Sequence, residues 1–279
     1  METLLNNGNK MQETTLSAAP SWIRNANISS PSPLLTKVFE VLYSPTMRLE
    51  DLADIIKTDA GLAVRTLRAS NAAFSSPANK ITDVRDAIVR MGLTTTIHII
   101  TATEVSSVFF TVPGKLGLMM NHWKHNLMVA SIAESIANYH HLPDPGRWFL
   151  GGLIHDIGRL MMLKVDAHKY SMAVNKHLKE NIDLLDAERE LFDYSHDIAG
   201  GLLLDYWRFP TDIADAAYEH HNEFKAYEDF GSGIGVANSI ANAIQNEEPL
   251  PEFSNLPVSE LVIQANDRYE VMKKVAGIN

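Results

Sequence analysis

The sequence predicts an all-α fold, with a helical N-terminal subdomain followed by a second bundle of longer helices. Three observations lead there. Apolar residues recur at intervals of three and four through most of the chain, which is the period of a helix face. Pro and Gly fall at helix-length intervals, where they punctuate helices. No segment joins strict two-residue alternation to β-branched enrichment between turn signals. Val105–Val112 comes nearest and continues a helical stripe.

Residues 1–30 are rich in Asn, Ser and Thr and read as a loose tail, with Trp22 and Ile23 as a possible anchor. Leu34, Leu35, Val38, Phe39 and Leu42 make one face of a short helix that Pro45 ends. Leu49, Leu52, Ala53, Ile55 and Ile56 form the next stripe, and Asp59 is placed to cap a helix carrying Leu62, Ala63, Thr66, Leu67 and Ser70. After a loop at Ala72–Lys80, Thr82 or Asp83 starts a helix that Gly92 stops. Another helix runs from Thr94 to Phe110, with a boundary at Pro113–Gly114. The second half carries helices over about Leu118–Tyr139, Asp144–Leu163, Ala167–Lys179, Asp183–Phe192, Asp197–Arg208, Thr211–His221, Gly233–Gln245 and Ser259–Val275.

The chain has 24 Lys and Arg against 34 Asp and Glu, a net charge of −10, which repels phosphate backbones and disfavours nucleic acid as a partner. It contains no cysteine, so disulfides and thiolate chemistry are excluded and a metal site must use His, Asp or Glu. Met1–Pro20 lacks the basic-then-apolar pattern of a secretion signal. No apolar stretch reaches the ~20 residues that span a bilayer; the longest, Gly151–Val165, is broken by His155, Asp156, Arg159 and Lys164. The expectation is a cytoplasmic protein with no membrane partner.

Of the eleven histidines only His98 precedes position 122, which directs attention to the second half. There His155 and Asp156 sit inside an apolar run, and a buried ionised Asp needs a cation or a hydrogen-bond network. Adjacent helical side chains diverge by ~100°, so one metal would lie between the two, or Asp156 would bridge two metals. Gly158 admits close approach of another backbone or of a substrate, and Arg159 offers a fork suited to phosphate. Partners for the pair are His125, ahead of the apolar face Val129–Ile132–Ala133–Ile136, His196, where a helix begins, and His220–His221, where one ends. Imidazole and carboxylate donors without sulfur suit Zn, Fe, Mn, Ni or Mg, and such an ion activates water against a phosphoester. Plainer readings stand beside these. His155–Asp156 as a buried hydrogen-bonded pair, His196 as a cap, one of His220 and His221 at a helix C-terminus, and Arg159 in a salt bridge all need no metal. His140, His141, His168 and His177 are expected to face solvent. Asn71 is expected to end its helix by bonding to backbone.

The run Phe149-Leu150-Gly151-Gly152-Leu153-Ile154-His155-Asp156-Ile157-Gly158-Arg159 resembles the HD superfamily of metal-dependent phosphohydrolases. Other segments narrow the resemblance to the HDOD (HD-related output domain) group of bacterial signalling proteins: Thr58–Leu62, Leu67–Phe74, Ile81, Ala87-Ile88 and Met91-Gly92-Leu93, then His196–Leu203, Trp207–Pro210 and Glu219-His220-His221. It spans about Pro31 to Ala243 and implies an N-terminal helical part at 31–114 and an HD-like bundle at 115–279. It implies that His125, His155 and Asp156 match three positions of the HD pattern and that Asn238 replaces its final acid. His196, His220 and His221 resemble the extra ligands of the cyclic-di-GMP phosphodiesterase branch, whose Gly-Tyr-Pro signature is replaced by Asn222–Lys225. The expectation is a bacterial regulatory domain that keeps a divalent-metal site (His125, His155, Asp156, His196, His220, His221) with little or no catalysis. It would act as a stand-alone adaptor for a regulatory protein partner or a nucleotide-like ligand. The alternative is an active metal-dependent phosphohydrolase for a nucleotide or phosphomonoester, with Asp156 and Arg159 catalytic.

Overall fold

A computed structural model describes residues 48–73, 80–109, 116–222, 227 and 229–275; the expectations for the tail, the Leu34–Leu42 helix, most of the Ala72–Lys80 loop and the Pro113–Gly114 boundary lie outside them. The described residues are helical, with one isolated bridge, Phe253 to Leu256, and no strand. None of the described helices is long and apolar enough to cross a membrane.

The first helices are α1 (Leu49–Lys57), α2 (Ala60–Ala73), α3 (Val84–Met91) and α4 (Leu93–Phe109). Asp59 caps α2 by accepting from Leu62 N at 2.7 Å, and Asp83 rather than Thr82 caps α3, accepting from Arg85 N and Asp86 N. Leu52, Ala53, Ile56, Leu62, Val84 and Ile88 pack with Ile97 and Ile100 into a core of their own. The Asn71 side chain donates to Leu67 O and to Ile81 O and accepts from Ile81 N. It therefore ties α2 to the chain ahead of α3, besides bonding within its own helix.

The second half consists of α5 (Leu116–Tyr139), α6 (Pro145–Ile154), α7 (Ile157–Val165), α8 (Ala167–Glu180), α9 (Leu184–Phe192), α10 (His196–Tyr206), α11 (Thr211–Glu219), α12 (Phe230–Gln245) and α13 (Val258–Val275). Helix α5 is buried over every residue from Val129 to Ala137, and α6, α12 and α13 all pack on it. A helix apolar all round belongs inside. Its two buried serines satisfy themselves, Ser131 Oγ donating to Leu127 O and Ser135 Oγ to Ser131 O. Helix α6 lies against α5 so closely that a Cβ on Gly152 would come within 2.7 Å of Ala130 Cα.

Glu134, 4% exposed, meets Arg268 of α13, Oε2 to Nε 2.6 Å, and faces His98 of α4. Burial pushes the Glu134 carboxyl up to about 7 from 4.5, with Arg268 opposing. Between those values the folded chain holds a proton that the unfolded chain has released, so this contribution to stability falls as pH rises through the window. His98 acts oppositely: burial, aided by Arg268, takes it down to about 3. Denaturant midpoints of wild type and Glu134→Gln measured from pH 4.5 to 7.5 should therefore diverge, wild type losing ground by up to roughly 3 kcal/mol. Parallel profiles would show that Glu134 titrates normally.

Candidate metal centre

The expected Asp144–Leu163 helix is two helices, and the break falls on the His-Asp pair. His155 keeps helical angles, but Asp156 sits at φ −94°, ψ 18°, and α7 restarts at Ile157. The His155 ring competes with the backbone here, Nδ1 donating to Gly152 O at 2.8 Å. Instead of diverging along a straight helix, the two side chains converge, with His155 Nε2 3.7 Å from Asp156 Oδ2.

Asp156, 2% exposed, lies at the centre of the cluster. Its Oδ2 is 3.9 Å from His125 Nε2 of α5 and accepts from Arg159 NH1 at 2.8 Å. Its Oδ1 is 3.1 Å from His196 Nε2, at the start of α10, and 3.3 Å from His220 Nε2, after α11. His221 closes the far side, its Nε2 2.8 Å from that of His196. Two donor groups result, His125–His155–Asp156 and Asp156–His196–His220–His221, with donor atoms in each within 4.8 Å of one another. All six ligands expected from the sequence are thus brought together, and Asp156 is common to both groups.

The rings are oriented from outside. His155 and His220 each donate Nδ1–H to a backbone carbonyl, Gly152 O and Ala217 O, both at 2.8 Å. His196 Nδ1 sits 2.6 Å from the buried Glu188 Oε2. The two carbonyls select, for His155 and His220, the tautomer that leaves Nε2 with its lone pair toward the centre. There His155 Nε2, His220 Nε2 and Asp156 Oδ1 are buried without a hydrogen bond. Lone pairs of two imidazoles converging on a carboxylate are unfavourable unless a cation lies between them, so the donor set fits a divalent metal.

Burial alone would raise the Asp156 carboxyl, but the Arg159 guanidinium, with His196, outweighs it and holds the group well below the usual carboxylate range. Burial lowers His155 strongly and takes His125 to about 4, keeping both neutral; His155 presents its Nε2 lone pair, while His125 Nε2 donates to Asn238 Oδ1. His196 differs: burial pulls it down, but Glu188 and Asp156 outweigh that and lift it to about 9.

Arg159 is engaged on both sides of its fork. Besides Asp156 it donates from Nε to Tyr170 OH at 3.1 Å, and that hydroxyl lies 3.1 Å from His122 Nε2. Asn238 of α12 is buried, its Oδ1 3.0 Å from His125 Nε2 and 3.2 Å from Asn242 Nδ2. Sequence reasoning missed Glu188, Tyr170 and His122. Glu188 was detectable: Leu184, Ala187, Glu188, Leu191 and Phe192 form a core stripe with one acid in it. Among the histidines expected to face solvent, His141, His168 and His177 are exposed, whereas His140 is half-buried against Tyr227.

A family model described as HDOD domain matches residues 28–223. An uncharacterized protein of Treponema pallidum (strain Nichols) is 19% identical over 260 residues, 92% of this chain; the chain spans about half, 50%, of that relative's length. An HDOD domain protein of unknown function from Geobacter sulfurreducens has a solved structure that superposes with TM-score 0.70 at 21% identity, covering 98% of this chain and 95% of its own. A protein from Marinobacter aquaeolei VT8, provisionally described as a signal transduction protein, superposes with TM-score 0.74 at 15% identity over 97% of this chain and 65% of its own. A provisionally described metal-dependent phosphohydrolase from Shewanella amazonensis SB2B superposes with TM-score 0.55 at 18% identity over 97% and 99%. At these identities the solved structures establish a shared fold.

Proposed function

The chain belongs to the HDOD domain family, and from that premise we propose that it is a bacterial signal-transduction module that retains a divalent-metal site with little or no turnover. One observation carries the metal half of this reading: unpartnered lone pairs of His155 and His220 converge on Asp156. His125, His155 and Asp156 would hold one ion, and Asp156 with His196, His220 and His221 a second. A divalent ion bound there would supply Lewis acidity for activating water toward a phosphoester.

The chain's own residues favour binding over turnover. Arg159, the candidate phosphate clamp, spends its charge on Asp156 and Tyr170. Asn238, beside His125 where the family pattern expects an acid, is neutral and a poor ligand. The metal would then shape a surface read by a regulatory protein or a nucleotide-like ligand, with residues 31–114 as the N-terminal helical part of the module.

Elemental analysis of chain purified without added metal is expected to find stoichiometric metal, and screens with cyclic dinucleotides, nucleotides and phosphomonoesters to find no turnover. Metal-free protein that stays folded and gains no thermal stability from Mn²⁺, Ni²⁺ or Zn²⁺ would remove the site; rapid turnover would instead make the chain a phosphohydrolase with Asp156 and Arg159 in catalysis. Asn238→Asp restores the acid beside His125 and should tighten metal binding by about tenfold or more in a competition titration. Unchanged affinity would exclude position 238 from the ligand set.

A further inference from the structure

A cavity of about 640 Å³ opens between α4, α5, α6 and α13, within the size range of small-molecule sites. It is distinct from the His/Asp cluster: Gly146 on its wall and His155 are nine residues apart, about 14 Å along α6. His98, 3% exposed, stacks on Phe149 with ring centroids 3.7 Å apart, and its Nε2 has no hydrogen-bond partner. A Cβ built on Gly146 would lie 3.9 Å from that nitrogen, which places it on the Gly146 side of the cavity. Beside it Glu134 Oε1 lies 3.7 Å away, beyond hydrogen-bonding reach.

Arg268 cannot swing across to satisfy this pair. Its Nε is on Glu134 Oε2, and its NH1 donates to Ser131 O at 2.9 Å and Ser135 Oγ at 3.1 Å. Two polar atoms thus stand side by side in a nearly buried floor: a Glu134 oxygen that accepts once the carboxyl is ionised, and a neutral imidazole nitrogen that accepts in one of its tautomers. Their complement is a group with at least two N–H donors. Charge around the cavity agrees. Arg147 is paired with Asp212, which leaves three carboxyl groups, Glu134, Asp144 and Asp267, around the single guanidinium of Arg268. Ile97, Leu150 and Met272 supply an apolar wall.

We propose that this cavity binds a small organic amine or amidine, its protonated nitrogen bridging Glu134 Oε1 and His98 Nε2 and its apolar body lying on Ile97, Leu150 and Met272. The full chain is titrated by calorimetry at about pH 8.5, where Glu134 is ionised and benzylamine is still protonated, with benzylamine and with its near-isosteres benzyl alcohol (neutral) and benzoate (anionic). Benzylamine should bind about tenfold or more tighter than either, because a charge-assisted donor on a desolvated carboxylate is worth that ratio. Glu134→Gln should bring the amine and the alcohol to parity. Gly146→Phe, at a position where a Cβ meets nothing closer than 3.6 Å, should fill the cavity and abolish binding while metal content stays at the wild-type value. The second variant carries the test if the first does not fold. Equal binding of all three compounds, binding by none at up to about 10 mM, or amine binding untouched by Gly146→Phe would each overturn the proposal. Because the metal content is read separately, failure here leaves the metal reading intact, and the reverse.

Discussion

Asp156→Asn is expected to leave the purified chain with less than about a tenth of the wild-type metal, because it removes the one carboxylate shared by both donor groups. The four nearest imidazole nitrogens, of His125, His155, His196 and His220, lie 3.1 to 3.9 Å from its oxygens. An amide keeps the shape but withdraws the charge that offsets a dication among neutral rings. The same change removes the counter-charge of Arg159, whose NH1 is 2.8 Å from Oδ2. Breaking a buried pair by deleting one partner costs about 3–5 kcal/mol, and denaturant melts of the metal-free proteins read that cost apart from metal loss. Asp197→Asn is the control. Asp197 is also buried, but its carboxylate lies in the first turn of α10, accepting from Ile198 N at 2.8 Å and from Ser195 Oγ. It should cost stability and leave metal content unchanged. A variant lacking Asp156 that kept full metal would move the site elsewhere in the chain.

Gly158→Ala is expected to be the most damaging glycine-to-alanine change among the described glycines. A Cβ there would fall 1.9 Å from His196 O, 2.7 Å from Gly200 N and 2.8 Å from His196 C. All three are backbone atoms, so no side chain can rotate aside. Relief requires α7 and α10 to separate, and that same crossing sets His196 against Asp156. Overpacking of ordinary cores costs about 1–3 kcal/mol; a clash against backbone should reach the top of that range or beyond, seen as loss of soluble yield or of the cooperative melt. Gly117→Ala, where a Cβ meets nothing within 4 Å, should be neutral or stabilise by up to about 1 kcal/mol. Wild-type stability for Gly158→Ala would mean the helices do not approach as described.

The two glycine variants also mark a difference between local and tertiary information. From the sequence, Gly158 admits close approach by either a backbone or a substrate. The structure shows that the approaching group is the His196–Gly200 backbone. The His155–Asp156 break is similar. Periodicity ran through it because Leu153, Ile154, Ile157 and Leu160 are all buried whether the helix is straight or broken. The cost of the break is met by the His155 bond to Gly152 O and by the polar cluster beyond, which no period reports.

The chain's linear pattern was enough for the helical class, for most element positions and for the Asp59 cap, because those depend on side chains within four residues of the backbone they serve. It was also enough to nominate the six candidate ligands, since polar residues at core positions stand out against an apolar stripe. Distances across the fold were decided by packing alone. His125 meets Asn238 across 113 positions. Glu188 orients His196, Arg159 turns to Tyr170, and His98 faces Glu134 over a cavity. Each of these pairings is set by which helix face is buried against which, and that choice follows from the summed burial of the whole chain rather than from any one segment.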